Sequence, residues 1–292
     1  MVKLFVTSGF LLLTFAAPFS APPQDLSRVF VSVIDGRGQP VTGLTPADFA
    51  VQLDGTRQTI ESVTPAKEPL SLALLTDRLG HSTTYTQFDV QRALGSFART
   101  LRQASPDVRI ALSTFDGPVS QITRFTSGAT ELDRALTRLP TVAPDSTLLD
   151  AIKDASTMML RAPTVRRAIF ALVAAYRPDQ STVRSDEAGQ LLQLSGASFW
   201  ALEVVRDLTQ GGNATSDPRE LLLESGTTLS GGLRQTISRL SELEPALILF
   251  AHQLAGQYEI AYGPGGGTRR TRLIVGVRGN GLRMLAPSWL AK

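Results

Sequence analysis

The spacing of apolar residues changes register along this chain, and the changes divide it. Residues 29–34, 50–53 and 58–63 are β-rich or alternate apolar with polar, and Asp35-Gly36 and Asp54-Gly55 supply turn chemistry between them. The same pattern returns at 257–262 and 271–277, on either side of a glycine-rich turn at 263–267. Between these ends strands and helices alternate. Apolar runs at 70–76, 108–115, 168–174 and 199–205 read as strands, with 119–125 as a further edge strand. The run at 168–174 is almost uninterrupted, the mark of a strand buried on both faces of a parallel sheet. Helical stripes separate these runs. Val90, Leu94, Phe97, Ala98 and Leu101 form one; Leu132, Ala135, Leu136 and Leu139 a second; Leu148, Leu149, Ile152, Ala155, Met159 and Leu160 a third. A helix ends before Gly196, and a last one spans 242–254 with Pro245 in its first turn.

Alternation of this kind implies right-handed βαβ crossovers and an α/β fold: a doubly wound, mostly parallel sheet over residues 69–253, with helices on both faces. Neither terminal segment, 27–66 or 254–292, has enough strands to stand alone in water. The two are expected to pair as one small β-sandwich beside the central unit.

Composition narrows the class. Net charge is +3, apolar residues make up 42% of the chain and charged residues 19%, which is the balance of a globular protein. The basic residues are nearly all arginine and lie scattered through the predicted elements, without the basic run and interleaved aromatics of a nucleic-acid surface. Residues 1–21 carry Lys3, an apolar stretch and small residues at Ala17, Ser20 and Ala21, the pattern of a cleaved export signal. No other segment is apolar for long enough to span a bilayer, so the expected mature chain is periplasmic or secreted. Cysteine is absent, which removes disulfides, thiol chemistry and lipoprotein attachment together.

The chemistry concentrates where the run 70–76 ends on Asp77. A strand ending in Thr-Asp and turning into a helix resembles the first turn of a von Willebrand factor A (VWFA) domain. The ordered landmarks resemble, more closely, the exported bacterial VWFA-related proteins of acidobacterial type. They are V-x-D-x-x-G-x-P-V-x-G-L-x-x-x-D-F at 33–49, Pro69-Leu70, Val108-Arg109-Ile110-Ala111-Leu112, Phe125-Thr126-Ser127, Leu148-x-Asp150-Ala151-Ile152, Ser230-Gly231-Gly232 and Gln257-Tyr258-x-Ile260-x-Tyr262. The resemblance implies a protein-binding domain whose D-x-S-x-S turn, a threonine and a second acid hold Mg²⁺. Here Leu79 and His81 occupy the serine positions, Ser146 the threonine position, and Val173-Ala174-Ala175-Tyr176 stands where the second acid belongs. One carboxylate and one hydroxyl are a poor Mg²⁺ set, and Asp77 with His81 falls short of a Zn²⁺ site. No metal and no cofactor is expected. Asp77 alternatively accepts backbone N–H groups of the following turn, or pairs with Arg78 or another arginine.

No catalytic constellation stands out. The only histidines are His81, placed in a loop, and His252, placed near the end of an apolar helix in a packed or capping role. There is no G-x-S-x-G elbow, and the 263–267 glycines lack phosphate-loop spacing. Asp150 and Asp154 share a helical face, solvated or paired with arginines. The expectation is a non-enzymatic module that binds an unidentified protein partner through Asp77, Arg78, His81, Ser146 and Tyr176, with no nucleic acid involved. The competing readings are a hydrolase using Asp77 and His81, and an envelope-structural scaffold.

Overall fold

The computed structural model describes residues 26–77, 79, 86–139, 145–175, 178–205, 217–263 and 271–290. The segment expected to be an export signal lies outside them, as do Arg78, His81 and Tyr176.

The described residues form two six-stranded sheets. The central one contains β4 (Leu70–Thr76), β5 (Arg109–Thr114), β6 (Ser120–Thr126), β7 (Arg166–Ala174), β8 (Ser198–Val204) and β9 (Arg234–Ile237), in the order β6-β5-β4-β7-β8-β9. Neighbours run parallel except β6, which lies antiparallel against β5 at the edge. Alternating side chains then sort into two cores. Leu72 and Leu74 of β4 and Phe170 and Leu172 of β7 face α1 (Gln87–Ala104), α2 (Ala129–Thr137) and α7 (Leu240–Ala255). Ala73, Leu75, Ile169, Ala171 and Val173 face α3 (Leu148–Leu160) and α4 (Ser185–Ser195). The unbroken apolar run of β7 thus serves both faces. Phe170 stacks between Phe97 and Phe250 at ring separations of 5.1 Å each, and Trp200 closes on Phe250 at 6.0 Å.

A short irregular stretch leads into β9. Helix α5 (Pro218–Leu221) widens into a π turn at Leu222–Gly226 and tightens again into α6 (Thr227–Ser230). The Ser230-Gly231-Gly232 landmark has a steric reason. Gly231 is left-handed at φ +79°, and a Cβ at Gly232 would lie 1.7 Å from the carbonyl oxygen of Phe199 in β8. Helix α7 begins at Leu240, earlier than its apolar stripe indicates, because Glu242 accepts from the backbone N–H groups of Ser238 and Arg239. Pro245 therefore falls in the helix interior and not in its first turn.

The terminal strands are β1 (Ser27–Ile34), β2 (Phe49–Leu53), β3 (Thr56–Pro65), β10 (Tyr258–Gly263), β11 (Leu273–Val277) and β12 (Arg283–Leu285), in the order β11-β2-β3-β10-β1-β12. They do not form the expected two-layer sandwich. Their pairings are antiparallel within one sheet, and its end strands β11 and β12 come into contact. The physical reason is the core: a single apolar cluster, with Val31, Val33, Val51, Ile260 and Tyr262 at its centre, can be wrapped by one curled sheet.

The 33–49 landmark is a docked loop. Asp35 Oδ1 accepts from the N–H groups of Arg37 and Gln39, both at 2.8 Å, while Gly38 turns left-handed at φ 78°. The Gly38 carbonyl accepts from Gln253 Nε2 of α7 at 2.7 Å, and Tyr258 Oη donates to the Val41 carbonyl at 2.9 Å. A second tie sits at the foot of β7. Arg166, 1% exposed, donates to Gln257 Oε1 at 2.8 Å, to the Glu68 carbonyl at 3.4 Å and to the Leu254 carbonyl.

Candidate functional site

The chain leaves β4 to build β5 and β6 on one side, and returns to build β7, β8 and β9 on the other. Between the C-terminal ends of β4 and β7 lies the crevice where open α/β sheets place ligands. Asp77 stands there, fully buried. Its N–H donates to the Leu172 carbonyl at 2.8 Å, and its Oδ2 accepts from the Ala174 N–H at 3.3 Å. That backbone donor comes from the neighbouring strand across the crevice; the turn that follows Asp77, from which bonds are also expected, lies outside the described residues.

Ser146 reaches the same edge from the segment before α3. It forms isolated bridges with Asp116, which follows β5, and with Asp179, which follows β7. Gln180 N–H donates to its carbonyl at 2.7 Å, and Asp179 Oδ2 accepts from Leu148 N–H at 2.8 Å, capping α3. The Ser146 hydroxyl itself is buried and has no hydrogen-bond partner among the described residues. Asp150 is half-exposed and, among the described residues, is engaged by backbone and hydroxyl donors and not by an arginine. Its oxygens accept from Val183 N–H at 2.9 Å and Thr182 N–H at 3.2 Å, because the loop after β7 folds back over the start of α3. Asp154 on the same face is exposed, as expected; partial desolvation raises its pKa, with the Lys153 charge opposing and the Asp150 charge adding. His252 is not packed either: its side chain is exposed on α7 and its carbonyl accepts from Gly256 N–H.

Several residues at this edge escape a reading of the sequence. Arg219 of α5 is 3% exposed and spans the end of β7. Its Nη2 donates to the Ala175 carbonyl at 2.7 Å and its Nη1 to the Ala174 carbonyl at 3.5 Å, while Nε lies 2.9 Å from Asp217 Oδ2. A fixed cation thus sits on the two alanines that stand where the resemblance puts an acid. Next along the edge, Glu203 of β8 pairs with Arg234 of β9, which also holds Glu220 at 2.9 Å. Burial pushes the Glu203 carboxyl above its usual range, and the Arg234 bond offsets this only in part. A sequence signal for Glu203 exists: it is the one acid in the apolar run 199–205. Arg219 gives none, since it lies in a polar stretch without periodicity.

Whether the described residues suit a divalent cation can be judged from their donors. Leu79 is wholly buried in the apolar cluster beneath α1, so one serine position is now part of the core. Asp77 Oδ2 is engaged by Ala174 N–H. Arg219 places positive charge on the adjoining strand end. Among the described residues there is no group of three His, Cys, Asp or Glu side chains able to hold a metal. Ser146 Oγ and Asp77 leave most of an octahedral oxygen shell unsupplied, so this donor set does not fit Mg²⁺. Among the described residues no base is hydrogen-bonded to the Ser146 hydroxyl.

No protein-family model matches this chain, and no curated protein does either. Similarity appears among solved structures. Proximal thread matrix protein 1 from the mussel byssus, with a zinc-occupied MIDAS motif, superposes with a TM-score of 0.52 at 12% identity, over 69% of this chain and 49% of that one. The SpRpn10 VWA domain gives 0.47 at 13% identity, over 62% and 94%. The PilB minor pilin of Streptococcus sanguinis gives 0.47 at 9%, over 66% and 63%. This chain therefore spans less than two thirds of the pilin and about half of the byssus protein. At these identities the likeness concerns the fold alone. The superposition on the byssus protein agrees with the mixed α/β architecture that the sheet order shows.

Proposed function

We propose that this chain is an exported, non-enzymatic interaction module that binds a protein partner without a metal, through the C-terminal rim of its central sheet. The single observation that carries the reading is that a buried guanidinium, Arg219, is bonded to the carbonyls of Ala174 and Ala175, at the strand end where the resemblance puts the second acid. A metal-bridged contact needs an acid at Ala174 or Ala175; here those carbonyls hold Arg219. The contact residues proposed from the sequence are Asp77, Arg78, His81, Ser146 and Tyr176; Asp77 and Ser146 are wholly buried and offer no surface to a partner, so the proposed contact rests on Arg78, His81 and Tyr176. Arginine and tyrosine are types enriched at binding hot spots. The proposed division of the chain is an export signal at 1–21, the β segments 27–66 and 254–292, and the VWA-like unit at 69–253. Among the described residues no helix is long and apolar enough to cross a membrane.

Affinity capture from the envelope and culture medium of the native host, with and without 5 mM EDTA, tests this. A partner retained in EDTA and lost on Arg78→Ala or Tyr176→Ala supports the reading. A partner released by EDTA refutes metal independence, and retention by both variants moves the interface elsewhere.

A further inference from the structure

A cavity of about 830 Å³ opens at the opposite end of the central sheet, between the feet of β7 and β8, helix α4, the π turn and strand β1. Its volume falls within the range of about 300–1,000 Å³ typical of small-molecule sites. The mouth carries Leu26, Val165 and Leu229, three large apolar side chains left exposed. One wall is the π turn, through Leu222, Ser225 and Gly226. Such turns are rare and recur at functional sites.

The charge on the walls is mostly positive: Arg28, Arg166 and Arg167 against one acid, Asp186. Arg166 and Arg167 both line the cavity. Every acceptor they reach is neutral: a side-chain amide and two carbonyls for Arg166, and the carbonyls of Thr164, Ser195 and Ala162 for Arg167. Each guanidinium has five N–H donors and spends three. Burial lowers both, Arg166 to about 10, and no neighbouring carboxylate counters it. The acid on the wall, Asp186, is held by Arg184 at 3.0 Å, and the third arginine, Arg28, already faces Glu68 and Glu259 at 3.4 Å each. Among the described residues, two cations therefore border an apolar space without a counter-ion. Buried charge of this kind is costly unless an opposite charge completes it.

We infer that this cavity is a binding site for an amphipathic carboxylate, a single-chain fatty acid, whose tail fills the apolar space and whose headgroup neutralises Arg166 and Arg167. The site is separate from the rim at Asp77 and stands whether or not that rim binds protein.

Two substitutions separate shape from charge. A Cβ at Gly189 would meet only Leu222 Cδ1, at 3.5 Å, so Gly189→Leu can extend into the cavity from α4 without a clash at its root. Arg167→Met removes one cation. The probes are dodecanoate, dodecan-1-ol and dodecyltrimethylammonium, all below their micellar concentrations. Binding to the full chain is followed by calorimetry and by Trp289 emission, since Trp289 lines the cavity. The expected result is saturable dodecanoate binding, at least tenfold tighter than the alcohol, with no binding of the cation. Gly189→Leu should weaken it tenfold or more while keeping the parent melting temperature, and Arg167→Met should erase the preference for anion over alcohol. The inference is overturned if folded parent does not bind dodecanoate up to its solubility limit. It is overturned equally if the cation binds as well as the anion, or if folded Gly189→Leu binds like the parent. Should Arg167→Met fail to fold, Gly189→Leu and the three probes still decide.

Discussion

Arg219→Met is the most informative single change. Methionine keeps much of the apolar stem and removes the charge with all five donors. The Nη2 bond to the Ala175 carbonyl, at 2.7 Å, is short and charge-assisted, and hydrogen bonds to charged groups contribute about 1.5–3 kcal/mol. The 3.5 Å contact with Ala174 is at the limit of a hydrogen bond and adds little. The ion pair with Asp217, whose side chain is 22% exposed, is worth at most about 1 kcal/mol after screening. The expected loss is therefore about 2–4 kcal/mol, or roughly 4–15 °C in melting temperature for a chain of this size. Urea denaturation followed by circular dichroism measures it, with Asp217→Asn as the companion and the double variant closing a cycle. Asp217 also caps α5 through its bond to the Arg219 N–H at 3.0 Å, so its own loss should be about 1 kcal/mol. The coupling between the two should not exceed about 1 kcal/mol. If Arg219→Met unfolds within 0.5 kcal/mol of the parent, the guanidinium does not hold the end of β7, and the account of the missing acid fails with it.

Three further outcomes are expected. Gly232→Ala should cost more than about 3 kcal/mol in urea unfolding, because its Cβ would lie 1.7 Å from the Phe199 carbonyl, whereas Gly276→Ala in β11 meets nothing within 4 Å and should be neutral or stabilising. Leu79→Ser, which restores one hydroxyl of the metal turn, should destabilise by about 2–4 kcal/mol because Leu79 is wholly buried in the core; calorimetry of the folded variant with Mg²⁺ should still show no heat of binding. Asp89 and Glu242 sit below their usual pKa ranges, the first chiefly through the Thr86 hydroxyl and the second chiefly through the Ser238 N–H. Their depressed folded values mean that their contribution is present above about pH 4.3 and is lost as pH falls through the folded values. Asp89→Asn and Glu242→Gln should accordingly flatten the fall in urea midpoint between pH 5 and pH 3.

The elements that packing dictates were legible in the chain. The run 168–174 announces a strand buried on both faces, and the stripe through Leu94, Phe97 and Leu101 announces α1. What escaped is held by contacts rather than by pattern. Strands β9 and β12 are four and three residues long and carry no periodicity of their own. The single curled sheet follows from where one core lies, which alternation cannot tell from a sandwich. At the rim, Asp77 was marked by its place after an apolar run, whereas Arg219 gained its role only when α5 was laid over β7.

The way the central α/β unit is attached has a mechanical consequence. The chain enters it from the end of β3 and leaves it into the start of β10, and these strands are antiparallel neighbours with Pro65 opposite Tyr258. A pull on the rim, resisted at the curled sheet, draws both strands from the same end and in the same direction. The ladder between them is not unzipped. The load passes instead as shear into β2 on one side and β1 on the other, where many hydrogen bonds share it at once. Arg166, bonded to residues beside both connections, stiffens the junction. Tension between the rim and the sheet is therefore borne along the strands and not by opening their ladders one bond at a time.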